Sequence, residues 1–400
     1  MKVVQINAVY EYSSTGRTTK EIHEYLCSQG IESFVAAKNV ETCGQFIKIG
    51  NKLDYFIHSL GSHLLGLQGV FSWVSTIQLI RKLKRINPDV IHLRNLHSNF
   101  INLSVLFNYL RSSKKTVVIT LHDFWLLTGH CCYFNDSNCY RWKEQCGHCP
   151  DKKKWNSSWF FDTSKSSLKK KRNYLAGIDR LAVIGVSQWV TSFVVDSIAK
   201  DAYVIRTIYN WIDTDVFKPT ESNLRQELGV STDDFVILGV SQQWTYEKGL
   251  SDFLSLAEKF SEAKIVLVGK WVMKDLQLPS NIVLAGEVSN VKKLVQYYSM
   301  ANVFFNPTTR ETFGKVTVES QSCGTPVIAY NATATPELIA EGCGEVVERS
   351  SIDAVAEACR EMKERGKDFY STNCRNNVVE NFNKNTIVKE YVNLYTEMLK

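Results

Sequence analysis

Along this chain, short apolar runs alternate with longer stretches in which apolar residues recur every three or four positions. Lys2–Val9 is apolar enough for a strand, Tyr10–Gly16 is a polar loop, and Arg17–Gln29 carries Ile22, Tyr25 and Leu26 on one helical face. The short apolar signature returns at Phe34–Ala37, Val90–Leu93, Val117–Leu121, Ala182–Val186 and Val204–Ile208. A second series runs through Phe235–Val240, Lys264–Val268, Ile282–Ala285, Val303–Asn306 and Thr325–Tyr330. Apolar strands separated by helical patterns predict an α/β protein with parallel sheets. The final stretch, Thr386–Leu399, sets Ile387, Tyr391, Tyr395 and Met398 on one helical stripe. At 400 residues the chain is too long for one core, so two domains of about 200 residues each are expected.

Charge divides the chain along the same line. Residues 1–215 carry 27 Lys and Arg against 17 Asp and Glu, and the remainder carries 20 against 24. Basic clusters stand at Arg81–Arg85, Lys152–Lys154 and Lys169–Arg172. They read either as solvated helix faces or as attraction to an anionic membrane surface or a lipid-pyrophosphate acceptor. No nucleic-acid-binding module is recognisable. No apolar run approaches the roughly 18 residues of a spanning helix. The opening MKVVQINAVY lacks the charged, then apolar, then small order of a signal peptide, so a cytoplasmic location is expected.

The stretch richest in chemistry is FFNPTTRETFGKVTVESQSCGTPVIAYNATATPEL, residues 304–338. A strand ends at Asn306-Pro307, a polar turn covers Thr308–Thr312, and a helix opens near Phe313-Gly314 and stops at Gly324. A helix N-terminus offers unpaired N–H groups and a positive dipole end, and Gly314 lets a ligand approach the backbone closely. Phosphate fits there. Glu311 and Glu319 bracket this helix start. Carboxylates repel phosphate unless they are aimed elsewhere, and hydroxyls are their natural partners. A phosphate flanked by polyols describes a sugar nucleotide. Two solvated glutamates on a surface turn would share the same spacing.

Other candidates follow strand ends, where open α/β sheets bind ligands. Ser13-Ser14-Thr15-Gly16 follows the first strand and opens a helix, but it is not G-x-G-x-x-G, which argues against a nicotinamide dinucleotide. His92 ends a strand, with His97 just beyond it. For each of these histidines a structural role competes with a contact in the acceptor cleft. His122 and Asp123 directly follow Val117–Leu121 and either reach the ligand edge or cap the next helix. Gly129–Pro150 holds five of the eleven cysteines. Cys146 and Cys149, with Cys139 and either Cys131 or Cys132, form a candidate structural zinc set, with His130 and His148 as alternative ligands. Its spacing is not that of a standard two-knuckle ribbon. Reduced cysteines packing a loop are the competing explanation, and a disulfide is disfavoured in a reducing compartment.

The run R-E-T-F-G-x4-E, with G-T-P-V-I-A and A-T-P-E-L after it, resembles the family 4 glycosyltransferases, with landmarks along nearly the whole chain. The likeness is strongest to the branch serving capsular, exopolysaccharide or colanic-acid-type polysaccharide synthesis. It implies a GT-B fold: two Rossmann-like domains whose parallel sheets face a central cleft, and a C-terminal helix that crosses back to the N-terminal domain. IYNWIDTDVFKP resembles the interdomain signature, with Trp211 where glycine is usual. The boundaries implied are an acceptor-binding domain at 1–218 with the cysteine-rich insert at 129–150, a nucleotide-sugar domain at 219–384 and a crossover helix at 385–400.

The resemblance also implies roles. Glu319 binds the ribose hydroxyls and Glu311 those of the donor sugar. Lys248 and the N–H groups around Phe313, Gly314 and Lys315 hold the diphosphate. Val288 meets the base, Gly16 lies near the donor phosphate or the acceptor, and His122 contacts the sugar, with Asp123 orienting it or touching the acceptor. Gln242 and Gln243 stand where the family carries a diphosphate-binding arginine. The co-substrate implied is a nucleotide-diphosphate sugar, the acceptor a lipid-linked glycan, and no metal or other cofactor enters the chemistry. An epimerase or phosphorylase on the same fold, or a non-catalytic sugar-nucleotide-binding subunit, are the alternatives.

Overall fold

The computed structural model of the protein describes residues 1–400. The chain forms two compact units. The first comprises Met1–Tyr209 and Val388–Lys400, and the second Asn210–Ile387.

The first unit is built on seven strands: β1 (Lys2–Ile6), β2 (Glu32–Ala37), β3 (Phe46–Lys48), β4 (Val90–Leu93), β5 (Thr116–Leu121), β6 (Leu181–Gly185) and β7 (Val204–Thr207). They pair in parallel in the order β3-β2-β1-β4-β5-β6-β7. Its helices are α1 (Ser13–Ser28), α2 (Lys52–Leu65), α3 (Trp73–Ile86), α4 (Leu103–Ser113), α5 (Ser164–Leu175) and α6 (Gln188–Val194). Strands β4, β5 and β6 are buried throughout, which is why their sequences are mainly apolar, broken only by polar residues such as His92 and Thr120 that bond each other.

Helix α1 begins four residues before the predicted start, so Gly16 lies in its first turn and not at a loop end. Thr18 and Thr19 hydroxyls donate to the Thr15 carbonyl at 3.1 and 2.7 Å, so the polar run bonds back into the helix. A β-carbon at Gly16 would stand 3.2 Å from the backbone of Tyr10 and Glu11, which explains glycine there.

The second unit repeats the plan with β8 (Val236–Trp244), β9 (Lys264–Trp271), β10 (Ile282–Gly286), β11 (Val303–Asn306), β12 (Val327–Tyr330) and β13 (Gly344–Val347), in the parallel order β10-β9-β8-β11-β12-β13. Around it lie α7 (Leu224–Glu227), α8 (Leu250–Lys259), α9 (Val291–Met300), α10 (Lys315–Ser322), α11 (Ile352–Arg365) and α12 (Lys367–Asn381). Strand β8 runs four residues past its predicted end. Gln243 and Trp244 pair with Lys270 and Trp271 beyond a bulge. Buried Trp244, whose indole N–H reaches the Val268 carbonyl at 3.2 Å, anchors that extension.

Helix α13 (Lys384–Leu399) starts in the second unit and ends in the first. Its predicted stripe is buried, with Tyr391, Tyr395 and Met398 packed in the first unit. At its start, Lys384 pairs with Asp213, and Asn383 donates to the Thr214 hydroxyl at 2.7 Å. Trp211 has no positive φ and its side chain is buried, so the turn takes a conformation tryptophan tolerates.

Candidate functional site

In the second unit the strand order reverses between β8 and β11, and a pocket opens at the C-terminal ends of those two strands. It encloses about 570 Å³ and is lined by Ser241, Gln242, Lys248, Asn306, Thr308 and Glu311, among others. Asn306 ties its wall together. Its carboxamide accepts from the Thr308 N–H at 3.2 Å and donates to the Thr317 hydroxyl at 3.1 Å, linking turn to helix. The Glu311 backbone is held from the A-T-P-E-L side: its N–H donates to the Thr333 hydroxyl at 3.2 Å, and its carbonyl accepts from the Ala334 N–H at 3.3 Å. Burial raises the pKa of Glu311, and the ammonium of Lys248 opposes that rise. Glu311 and Lys248 therefore share one pocket and feel each other's charge.

Gly314 caps α10 with φ 96, a left-handed conformation that disfavours any side chain. Phe313 is buried and packs on Phe382 with ring centroids 5.8 Å apart. Lys315 is the first residue of α10. Glu319 lies a turn further on and accepts a hydrogen bond of 2.9 Å from Tyr298, a fully buried side chain on α9. Val288 is half-buried in the loop after β10. Gln242 lines the pocket where the resemblance implies a cation, and the nearby Arg310 pairs with Glu247 at 3.4 Å.

In the first unit the order reverses between β1 and β4, and residues after β4 and β5 line a smaller pocket of about 240 Å³. Arg94, almost fully buried, donates from Nη2 to His122 Nε2 at 2.9 Å and to the Thr18 hydroxyl at 2.6 Å. A guanidinium only donates, so His122 Nε2 must accept and the ring proton sits on Nδ1. Asp123 lines the same pocket as His122. Its carboxylate takes the Trp125 N–H at 2.8 Å and His97 Nε2 at 2.8 Å. For His92, of the two competing roles, the structure favours the structural one. It is wholly enclosed, with Nε2 on the Thr120 hydroxyl at 2.8 Å and Nδ1 on the Tyr395 hydroxyl at 2.7 Å. It fixes α13 and has no face for an acceptor. Burial, with help from the Arg94 charge, lowers its pKa and keeps it neutral.

The cysteine-rich segment has no regular structure beyond single 3-10 turns at Asn135–Ser137 and Arg141–Lys143. Phe134 and Trp142 bury it against Phe193 of α6, at ring-centroid distances of 4.9 and 6.1 Å. All eleven cysteines are free thiols. Cys131, Cys139, Cys146 and Cys149 line one cavity of about 270 Å³, with His130 beside them. Cys132 points elsewhere, to within 4.8 Å of the paired His97 and Asp123. Burial pushes the Cys131 and Cys149 thiols up to about 12.

Arg94 and Tyr298 are the site residues that sequence reasoning missed. Arg94 stands between His92 and His97, directly after a buried strand, and that position was the available signal. Nothing local marks Tyr298, which meets Glu319 only through tertiary packing.

Two parallel α/β units, the second with its pocket at a topological switch point and the first with one at the ends of β4 and β5, define the GT-B class of folds. The family model described as Glycosyltransferase Family 4 matches residues 15–216, just over half of the chain, and the chain belongs to that family. A second model, Glycosyl transferases group 1, matches residues 220–383. The chain is 26% identical over 345 residues to an uncharacterized 41.2 kDa protein in the cps region of Klebsiella pneumoniae, covering 84% of this chain and 85% of that one. It is 25% identical over 207 residues to the capsular polysaccharide biosynthesis glycosyltransferase CapM of Staphylococcus aureus, covering 48% and 54%. Against N-acetyl-alpha-D-glucosaminyl L-malate synthase of Bacillus anthracis, identity is 26% over 211 residues, covering 49% and 54%. The chain thus spans about half the length of several curated relatives it matches. Among solved structures, Anabaena Alr3699/HepE in complex with UDP superposes with a TM-score of 0.70 at 17% identity, covering 99% of this chain and 100% of that one. Sucrose-phosphate synthase from Thermosynechococcus elongatus gives 0.72 at 16%, covering 100% and 99%.

Proposed function

We propose that the protein is a retaining glycosyltransferase that moves a sugar from a nucleotide-diphosphate sugar to a lipid-linked glycan in cell-surface polysaccharide synthesis. The observation that carries this reading is the meeting of Glu311 and Lys248 in one pocket at the β8/β11 switch point, beside the Gly314 cap of α10. Lys248 and the N–H groups of Phe313, Gly314 and Lys315 stabilise the diphosphate as charge develops on it. Glu311 accepts from hydroxyls of the donor sugar, and Glu319, steadied by Tyr298, from the ribose. Val288 packs on the base. His122, with its proton on Nδ1, donates to the sugar, and Gly16, His97 and Asp123 border the acceptor side. As the bond from C1 to the phosphate oxygen breaks, the acceptor oxygen bonds C1 on the same face, and its proton passes to the leaving phosphate. Retention needs no protein nucleophile, and any zinc at the cysteine cluster stands outside the transfer step. The names of the capsule-related relatives and the UDP complex of HepE favour this chemistry.

The same reading places the protein at the cytoplasmic face of an anionic membrane. No helix is long and apolar enough to cross one. Helix α2, however, turns an apolar stripe outward: Leu53, Phe56, Ile57 and Leu60 are all exposed, between 42% and 66%. Trp159, stacked on His63 of that helix at 5.5 Å, continues the patch into exposed Phe160. Lys152–Lys154 supply positive charge nearby in sequence. An outward apolar stripe with flanking lysines suits the interface of an anionic bilayer. Co-sedimentation with anionic but not zwitterionic vesicles, lost in Phe56→Ser/Ile57→Ser, is the expected result. Equal pelleting of the variant would refute the assignment.

Gln242 in the cation position favours a second reading, a subunit that binds sugar nucleotides without turning them over. A thermal-shift panel of nucleotide sugars on wild type and Glu319→Ala tests the donor site itself, since a ligand that binds only the folded state raises Tm. Stabilisation by one nucleotide class, lost in the variant, supports the assignment. No shift with any of them overturns it.

A further inference from the structure

We propose that Cys131, Cys139, Cys146 and Cys149 together hold one structural zinc ion that fixes the 129–150 segment. This inference is independent of the transferase reading. The sequence leaves the first ligand open between Cys131 and Cys132, and the fold separates the two. The Cys131 carbonyl accepts from the Thr128 hydroxyl at 2.6 Å and the Cys132 carbonyl from the Phe124 N–H at 2.9 Å. With both carbonyls fixed, the side chains part. Cys131 enters the cavity shared with Cys139, Cys146 and Cys149, whereas Cys132 sits by Asp123 and takes the Asn156 amide at 3.6 Å.

Three features point to a metal. Four thiols spaced C-x7-C-x6-C-x2-C converge on one cavity, and none is paired in a disulfide. Their segment buries Phe134 and Trp142 with almost no backbone ladder of its own, so a cross-link would supply the order that secondary structure does not. The buried ammonium of Lys171 bonds to the Trp125 and Thr128 carbonyls and couples first to Cys132, then to Cys146 and Cys131, so it also offsets negative charge at the four-thiolate site. Four soft sulfur donors favour zinc over harder divalent ions. In a zinc tetrahedron with Zn–S of about 2.3 Å the sulfurs stand roughly 3.8 Å apart. No three of these sulfurs are within 4.8 Å of one another, so binding draws them inward. Each thiol releases its proton to solvent as hydrated zinc loses a water.

The test is metal analysis of the full chain, purified without chelator from zinc-replete cells. Wild type should carry about one zinc per chain. Cys131→Ser and Cys149→Ser should lose most of it, while Cys132→Ser keeps it. Because serine variants of buried cysteines sometimes fail to fold, the wild-type protein is also titrated with a mercurial while a zinc-binding dye reads release. Zinc should appear as thiols are consumed, and cobalt substitution should give the intense absorption of tetrahedral thiolate ligation. Wild-type protein without zinc, zinc loss in Cys132→Ser equal to that in Cys131→Ser, or iron with acid-labile sulfide would each overturn the proposal.

Discussion

Replacing Arg94 by leucine separates what holds His122 from what holds the fold. Arg94 lies almost fully buried beneath the first unit's pocket, and its Nη2 bonds His122 and Thr18 at 2.9 and 2.6 Å. Leucine removes a charge-assisted hydrogen bond of about 1.5–3 kcal/mol at His122. It also removes a guanidinium whose Nε and Nη1 have no partner, so the relieved desolvation offsets much of the lost bonding. Stability should therefore change by less than about 2 kcal/mol. Donor turnover should fall roughly 10- to 150-fold, the hydrogen-bond energy converted to rate. The direct readout is the tautomer. In 15N-histidine-labelled wild type, the signal of His122 should report an unprotonated Nε2 and a protonated Nδ1. In Arg94→Leu the two tautomers should mix. Arg94→Lys, which keeps one donor, should restore part of the turnover. A wild-type His122 protonated on Nε2, or Arg94→Leu turnover within twofold of wild type, would refute the reasoning.

Other outcomes follow from single contacts. Tyr298→Phe removes one hydrogen bond of about 1 kcal/mol from Glu319, so nucleotide Kd should weaken roughly fivefold by calorimetry with little loss of Tm. Tyr395→Phe leaves His92 Nδ1 without its partner inside the core and should lower stability by about 1–3 kcal/mol in a denaturant titration, without altering nucleotide affinity. Burial alone would raise the pKa of Asp213, but the bond to Lys384, that lysine's charge and the N–H groups of Asp215 and Val216 hold it below its ordinary value. Its stabilisation is thus complete above the unfolded-state value of about 4 and is lost as pH falls through the lower folded value. Asp213→Asn should flatten that acid limb of a Tm–pH profile, and an unchanged limb would contradict the assignment.

The buried strands were legible because β4, β5, β6, β11 and β12 are enclosed on both faces and are mostly apolar, with only isolated polar residues such as His92, Thr120 and Asn306. Edge strands β3 and β13 were not, being three and four residues long and only partly buried. Helix α2 would have misled a pattern search, since its Leu53–Phe56–Ile57–Leu60 stripe looks like a core face and points to solvent. Glu311 and Lys248 were legible as a pair only through family resemblance, for they are far apart in sequence and the switch point brings them together. His92 was left open between two roles, because a strand-end histidine serves either a ligand or the fold, and the return of α13, with Tyr391 and Tyr395, favours the fold.

The most direct test of the transferase reading is release of nucleoside diphosphate from the nucleotide sugar that stabilises the protein, measured with and without lipid-linked glycan acceptors extracted from cells. The account predicts acceptor-dependent release with the sugar α- or β-configured as in the donor, and loss of that release by at least about 100-fold in Glu311→Gln and Lys248→Ala, in line with the removal of groups that stabilise the transition state. Binding without acceptor-dependent release, or a changed sugar with no nucleoside diphosphate freed, would contradict it.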